Sequence, residues 1–229
     1  MVPVLLLSFL SLFYTAPVFT AATNIAPVSP INTVYAFDMH KVFMEQSWTK
    51  LVTSLLYVYH VKTISLLDLK NRHKVGEKHF ELMEKKHPSL KGISKHFEHF
   101  LLTQPFMLDT IEIIKELKNK GYKVYVLSNC AQETYDKLRV KYPAVYNLFD
   151  GEYLPSKHNN YNAKPHTSFY REFKSYLVKQ GQGSKQIVFV DDKEKNVTAA
   201  KKEHIFGVQF TGAKKLRTDI AKLEFGLTV

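Results

Sequence analysis

The spacing of apolar and polar residues changes character along this chain. Residues 1–37 contain no Asp, Glu, Lys, Arg or His. At the end of that stretch, Thr33-Val34-Tyr35-Ala36-Phe37 is a short apolar run preceded by the turn-formers Pro30 and Asn32. It reads as a buried strand, central in a parallel sheet. From Val42 to about Leu102 the period lengthens. Phe43, Trp48, Leu51, Leu55, Leu56 and Val58 recur at three- and four-residue steps, as an amphipathic helix requires. Further helical stretches are expected around 64–72, 76–86 and 92–102, with His87-Pro88 as a joint. No strand of comparable strength interrupts them, so 43–104 reads as an all-helical insertion.

Beyond residue 105 helical and strand periods alternate. Asp109 to Gly121 is a predicted helix with a capping-box pattern at Asp109 and Glu112, an Ile111–Ile114–Leu117 stripe and a terminating Gly121. Lys123–Leu127 follows as a strand running into Ser128-Asn129. A helix, a glycine stop and a buried strand in succession mark a β-α-β crossover. Gln132–Lys141 returns as a helix closed by Pro143, and 148–153 is a weaker strand. Ser168–Val178 is helical, and Gln186–Val190 is a strand ending in Asp191-Asp192. A short helix over 196–202, a strand over 206–210 and a helix over 213–223 complete the pattern. The fold class is therefore α/β: a Rossmann-like, three-layer parallel-sheet core formed by 32–42 and 105–229, with a small all-helical cap at 43–104.

Composition adds a location and narrows the partners. The 229 residues are 45% hydrophobic and 23% charged, enough apolar material for a real core, and the formal net charge is +11. Such a charge favours anionic partners. The lysines are spread over helices rather than massed in one block, and no zinc-finger or RNA-binding fingerprint is present, so nucleic acid is not expected as a partner. A single cysteine, Cys130, excludes an internal disulfide framework and reads as a small buried thiol. The uncharged leader, with an apolar core over Val2–Phe13 and small residues Thr20 and Ala22, is laid out like a secretory signal peptide cleaved after Ala22. No basic residue precedes the apolar run, and an uncleaved amino-terminal membrane anchor within 1–22 is the alternative; a cytoplasmic chain with an unusual leader is the third reading. The expected location is secreted or periplasmic. Stable membrane insertion is expected only if the leader stays as an anchor.

Three predicted strands end in polar residues: Asp38, Ser128-Asn129 and Asp191-Asp192. In a parallel sheet these ends share one edge, where open α/β sheets bind ligands. Lys164, in the loop ahead of a helix, can reach that edge. Asp38 and Asp192 offer the hard oxygens that Mg²⁺ prefers, and crowded carboxylates call for a cation on electrostatic grounds alone. Ser128 and Lys164 supply a hydroxyl and a positive charge for a phosphate. A carboxylate beside Mg²⁺ is also a competent nucleophile for phosphoryl transfer. His96 and His99 lie three residues apart in a predicted helix, without the further ligands a metal site would need. Asn196-Val197-Thr198 matches a glycosylation acceptor but falls within this site, so the match is coincidental.

The order strand-Asp38, helical insertion, strand-Ser128-Asn129, Lys164-Pro165, strand-Asp191-Asp192 resembles the haloacid dehalogenase-like hydrolase superfamily. The segments Lys118–Asn129 and Phe189–Ala200 carry the likeness most specifically. The resemblance implies Asp38 as nucleophile, Ser128 and Asn129 as phosphate contacts, and Lys164 as stabiliser of a phosphoaspartate. It implies a Mg²⁺ site of Asp38, the His40 backbone carbonyl, Asp191 and Asp192, with Asp192 the direct acidic-loop ligand. Asn196 would fix the acidic loop. The expected reaction is Mg²⁺-dependent hydrolysis of a small phosphorylated metabolite through an aspartyl-phosphate. One position departs from the pattern: phosphatases of this type usually carry a second Asp two residues after the nucleophile, where this chain has His40. Imidazole, with an ordinary pKa of about 6.5, can give and take a proton near neutrality, so His40 is a candidate general acid/base. The other readings that remain open are a dehalogenase and a non-catalytic binder of a phosphorylated ligand or a protein.

Overall fold

In a computed structural model of the chain, the described residues are 27–46, 88 and 91–227. The helices expected at 64–72 and 76–86, most of that starting at Val42, and the leader lie outside them. Strand β1 (Thr33–Phe37) is buried at every residue, as an uncharged run in a two-sided core must be. After it come α1 (Ile93–Leu102), α2 (Leu108–Asn119), β2 (Lys123–Leu127), α3 (Gln132–Lys141), α4 (Pro143–Tyr146), β3 (Gly151–Tyr153), α5 (Thr167–Lys179), β4 (Gln186–Asp191), α6 (Glu194–Lys202), β5 (Phe206–Gln209) and α7 (Ala213–Glu224). The five strands form one parallel sheet in the order β3-β2-β1-β4-β5.

Alternation along the strands builds the layers. Tyr35, Phe37, Val124, Val126, Val188 and Val190 face one side, against Ile111, Ile114 and Leu117 of α2, Leu138 of α3 and Leu216, Ile220 and Leu223 of α7. Val34, Ala36, Tyr125, Leu127, Ile187 and Phe189 face the other, against Phe169, Tyr170, Phe173 and Leu177 of α5 and Ala199 and Ala200 of α6. The chain leaves β1 towards β2 and β3, then crosses back to β4 and β5. The order therefore reverses between β1 and β4, and the crevice at their carboxyl ends is the expected ligand position.

Two local expectations change. The Asp109 side chain caps nothing: the N-cap of α2 is Met107, and Asp109 lies inside the first turn, where it favours the positive end of the helix dipole. Gly121 does terminate the helix, at φ 89°, with Gly121 N–H donating to the Lys118 carbonyl at 2.9 Å and Tyr122 N–H to that of Leu117 at 3.0 Å. At the other boundary Val42 and Phe43 belong to a turn, not a helix. Phe43 is fully buried in the core, its ring centroid 5.0 Å from that of Phe149, so its apolar character serves the sheet layer. The chain departs and returns side by side: Glu45 N–H donates to the Pro105 carbonyl at 2.8 Å and Met107 N–H to that of Phe43 at 2.9 Å. Among the described residues, no helix is long and apolar enough to cross a membrane.

Candidate active site

Asp38 follows β1 directly, and its N–H continues the ladder by donating to the Val190 carbonyl at 2.8 Å. Because Phe37 is in register with Val190, Asp38 comes level with Asp191 at the tip of β4. Asp38 Oδ1 accepts from the Met39 N–H at 2.8 Å, which fixes the carboxylate on the turn leaving the strand. Residues 39–44 close tightly: Lys41 takes a left-handed φ of 63° and His40 bridges to Met44. His40 is half-buried, beside the carboxylate it was expected to serve.

Lys164 reaches this point from the loop before α5. Its ammonium is buried and lies 3.0 Å from Asp38 Oδ1 and 2.6 Å from Asp191 Oδ2, and it donates to the Leu127 carbonyl at 2.7 Å. Asp191 is held further by the Lys193 N–H at 2.8 Å and by Asn196 Nδ2 at 2.9 and 3.0 Å from its two oxygens. The Tyr170 hydroxyl donates to the Asn196 carbonyl at 2.8 Å and so supports that amide from the helix layer. Ser128 is buried at the end of β2, and its Oγ accepts from the Cys130 N–H at 3.4 Å. Asn129 is turned to Lys164: its Oδ1 accepts from the Lys164 N–H at 2.8 Å and its Nδ2 donates to the Lys164 carbonyl at 2.9 Å.

The site thus gathers all seven expected positions: Asp38, His40, Ser128, Asn129, Lys164, Asp191 and Asp192. Sequence reasoning missed the Leu127 carbonyl, the Lys193 N–H and the Tyr170 hydroxyl. A main-chain carbonyl leaves no trace in residue identity. Tyr170 reads as one more apolar residue of an amphipathic helix.

Charges at the site are unbalanced. Burial pushes Asp38 up, but Lys164 first, then Lys193, His40 and a hydrogen bond from Ser128 outweigh it and hold the carboxyl below its ordinary range. Burial alone would lower Lys164, but Asp191 and Asp38 together raise it, so the ammonium stays charged. Asp191 is pushed up by burial and by the charge of Asp38, against the pull of Lys164. Burial also raises Asp192, opposed by Lys193 and reinforced by Asp38. Ligand oxygens of Asp38, Asp191 and Asp192 all lie within 4.8 Å of one another, and Asp192 Oδ1 is buried without a hydrogen-bond partner. Three carboxylates facing one buried ammonium, with an oxygen left over, fit a hard divalent cation.

A family model described as haloacid dehalogenase-like hydrolase matches residues 23–203. The chain belongs to this family. Solved structures of the haloacid dehalogenase (HAD) family share its fold. The HAD family enzyme BT-2542 of Bacteroides thetaiotaomicron, as an Asp-to-Ala variant in complex with magnesium and inorganic phosphate, superposes with a TM-score of 0.58 at 15% identity, covering 78% of this chain and 93% of that one. L-2-haloacid dehalogenase of Xanthobacter autotrophicus, with chloropropionic acid covalently bound, gives 0.54 at 13% identity, covering 82% of each chain. A hydrolase of Streptococcus pneumoniae TIGR4 gives 0.53 at 13% identity, covering 83% of this chain and 98% of that one. No curated protein matches the chain.

Proposed function

We propose that this HAD-like hydrolase is a Mg²⁺-dependent phosphatase that cleaves a small phosphorylated metabolite through an aspartyl-phosphate on Asp38, outside the cytoplasm. The observation that carries the reading is the surplus of carboxylate at the β1–β4 crevice, with the unpartnered Asp192 Oδ1 beside an ionised Asp38. Carbon–halogen hydrolysis, the chemistry that the name of the Xanthobacter enzyme states, needs no metal and so gives an acidic metal loop less to do. Mg²⁺, when bound by Asp38, Asp192 and the His40 carbonyl, supplies charge that neutralises phosphate oxygens.

The chain's own residues divide the remaining work. Asp38 attacks phosphorus with a carboxylate oxygen, and the bond to the leaving oxygen breaks as it takes a proton from the His40 imidazolium. Water then attacks the phosphoaspartate, giving its proton to the neutral imidazole and releasing phosphate. Lys164, held by Asp191 and the Leu127 carbonyl, keeps a fixed positive charge at the nucleophile, so little reorganisation accompanies charge transfer. Ser128 donates towards the same carboxylate, which supports a role as a phosphate contact. The deciding experiment screens phosphorylated metabolites for phosphate release, with Mg²⁺ and with chelator. Release that chelator abolishes supports the phosphatase. Metal-independent halide release from 2-haloacids supports a dehalogenase instead, and neither activity leaves a binding protein.

A further inference from the structure

The turn that leaves β1 buries all but two of its residues. Met39, Val42, Phe43 and Met44 are fully buried, and the Met39 carbonyl accepts from the N–H groups of Phe43 at 3.1 Å and Met44 at 3.0 Å. His40 is half-buried. Lys41 is exposed at a left-handed φ of 63°, its N–H donating to the Met44 carbonyl at 2.6 Å. Glycine takes that conformation without strain, and a lysine does not. A strained residue kept at the edge of a ligand site points to a use for its side chain. The turn that leaves β4 offers a second cation. Lys193 is half-buried there, between Asp192 and α6, and its N–H is fixed on Asp191 Oδ1 at 2.8 Å.

Strands β1 and β4 are neighbours in the sheet, so the two lysines flank the crevice that opens at their carboxyl ends. Both charges reach the same carboxylate: burial raises Asp192, while Lys193 and, more weakly, Lys41 pull against it. Lys193 also bears on Asp38. The buried Lys164 is committed to Asp38 and Asp191 at the floor of the crevice. Among the described residues neither Lys41 nor Lys193 is ion-paired, and no step of the proposed reaction uses their ammonium groups. We propose that Lys41 and Lys193 clamp a second anionic group of the substrate, a carboxylate or another phosphate, beside the phosphoryl group at Asp38. A phosphate at Asp38 lies on the crevice floor, and the rest of the molecule leaves between the two lysines. Charge-assisted contacts there favour a substrate with an anionic tail over one with a neutral tail. The left-handed turn at Lys41 is retained because it sets a cation at the mouth of the site. The inference rests on the phosphate site proposed above and names the class of compound it takes, a small phosphorylated acid or bisphosphate.

Phosphonates lack the phosphorus–oxygen bond to a leaving group, so they read binding apart from turnover. The test titrates the full chain calorimetrically, at fixed free Mg²⁺, with propylphosphonate, β-phosphonopropionate and trimethylenebisphosphonate. At least one of the two doubly anionic probes should bind about tenfold or more tightly than propylphosphonate. The better of them identifies the second group as carboxylate or phosphate. In Lys41→Gly and in Lys193→Ala that preference should shrink towards parity. Lys41→Gly should melt no lower than the parent, because glycine relieves the left-handed strain, so a preference lost there is not a loss of fold. Parity among the three probes on the parent, or a preference that either variant leaves intact, would overturn the inference while the phosphate site stands. Binding of none of the three removes the inference and the phosphate site together.

Discussion

Asn129 and Lys164 hold each other by a reciprocal pair of hydrogen bonds, with Asn129 Oδ1 on the Lys164 N–H at 2.8 Å and Asn129 Nδ2 on the Lys164 carbonyl at 2.9 Å. Both polar atoms of the amide are thereby engaged in fixing the residue whose ammonium bridges Asp38 and Asp191. Asn129→Ala should cost about 1–3 kcal/mol, since two part-buried main-chain groups lose their partners. Displacing a positioned charge by about 1 Å can cost roughly a hundredfold in rate. We therefore expect kcat to fall far more than KM rises. Steady-state kinetics decide the point: a rise in KM alone would restore Asn129 to the phosphate-contact role its place after Ser128 implies.

Asp192 has opposite effects with and without metal. In the absence of a cation its raised carboxyl, beside the charge of Asp38, is a burden on the fold. Asp192→Asn should leave the metal-free protein at least as stable as the parent. Mg²⁺ should stabilise the parent by mass action, about 2.7 kcal/mol at a concentration 100 times Kd. The variant should need Mg²⁺ concentrations raised by more than the roughly 10- to 100-fold typical of losing an outer partner. Thermal unfolding across a Mg²⁺ series reads both. An equal metal response in parent and variant would remove Asp192 from the site.

His40 replaces the usual second acid and is among the charges that hold Asp38 ionised. His40→Ala should lower kcat by about 10²–10⁴, the range for losing a positioned general acid/base, and remove the limb that the imidazole gives the parent's pH–rate profile. His40→Asp should recover part of the rate with its optimum moved to lower pH. A His40→Ala profile that overlays the parent's at every pH means that the imidazole only fills the turn.

The strands and the residues at their tips were legible because both depend on local pattern. Uncharged runs such as Val34–Phe37 have few alternatives to burial, and parallel strands put Asp38, Ser128 and Asp191 on one edge whatever their separation in sequence. What sequence could not show is direction. Asn129 beside Ser128 looks like a ligand contact, and its turn towards Lys164 depends on a loop 35 residues away. Phe43 carries helical spacing yet belongs to the core, because spacing cannot tell which surface an apolar side chain faces. Gly207 gave no signal at all, although a Cβ there would come within 2.7 Å of Val197 Cγ1 and 2.9 Å of its carbonyl oxygen where α6 lies on β5.

Asp150 shows how a carboxylate far from the active site sets acid stability. It stands just before β3 and accepts from the Val124 N–H at 2.9 Å, from Lys123 Nζ at 2.9 Å and from Lys118. Burial pushes its carboxyl up, but the hydrogen bonds from Lys118, Lys123 and Val124 prevail and hold it below the ordinary range. The unfolded chain, with an Asp pKa of about 3.9, thus binds the proton more readily than the native state. Stability from this group is fully present above that value and is lost as pH falls through the depressed native one. Asp150→Asn should therefore cost no more than about 1.5 kcal/mol at pH 7, the low end of the range for hydrogen bonds to a charged group, because solvent screens the exposed Lys123 partner. The gap between parent and variant should close below about pH 4. Urea unfolding at several pH values measures it, and a gap that stays constant with pH would show that Asp150 contributes through packing rather than charge.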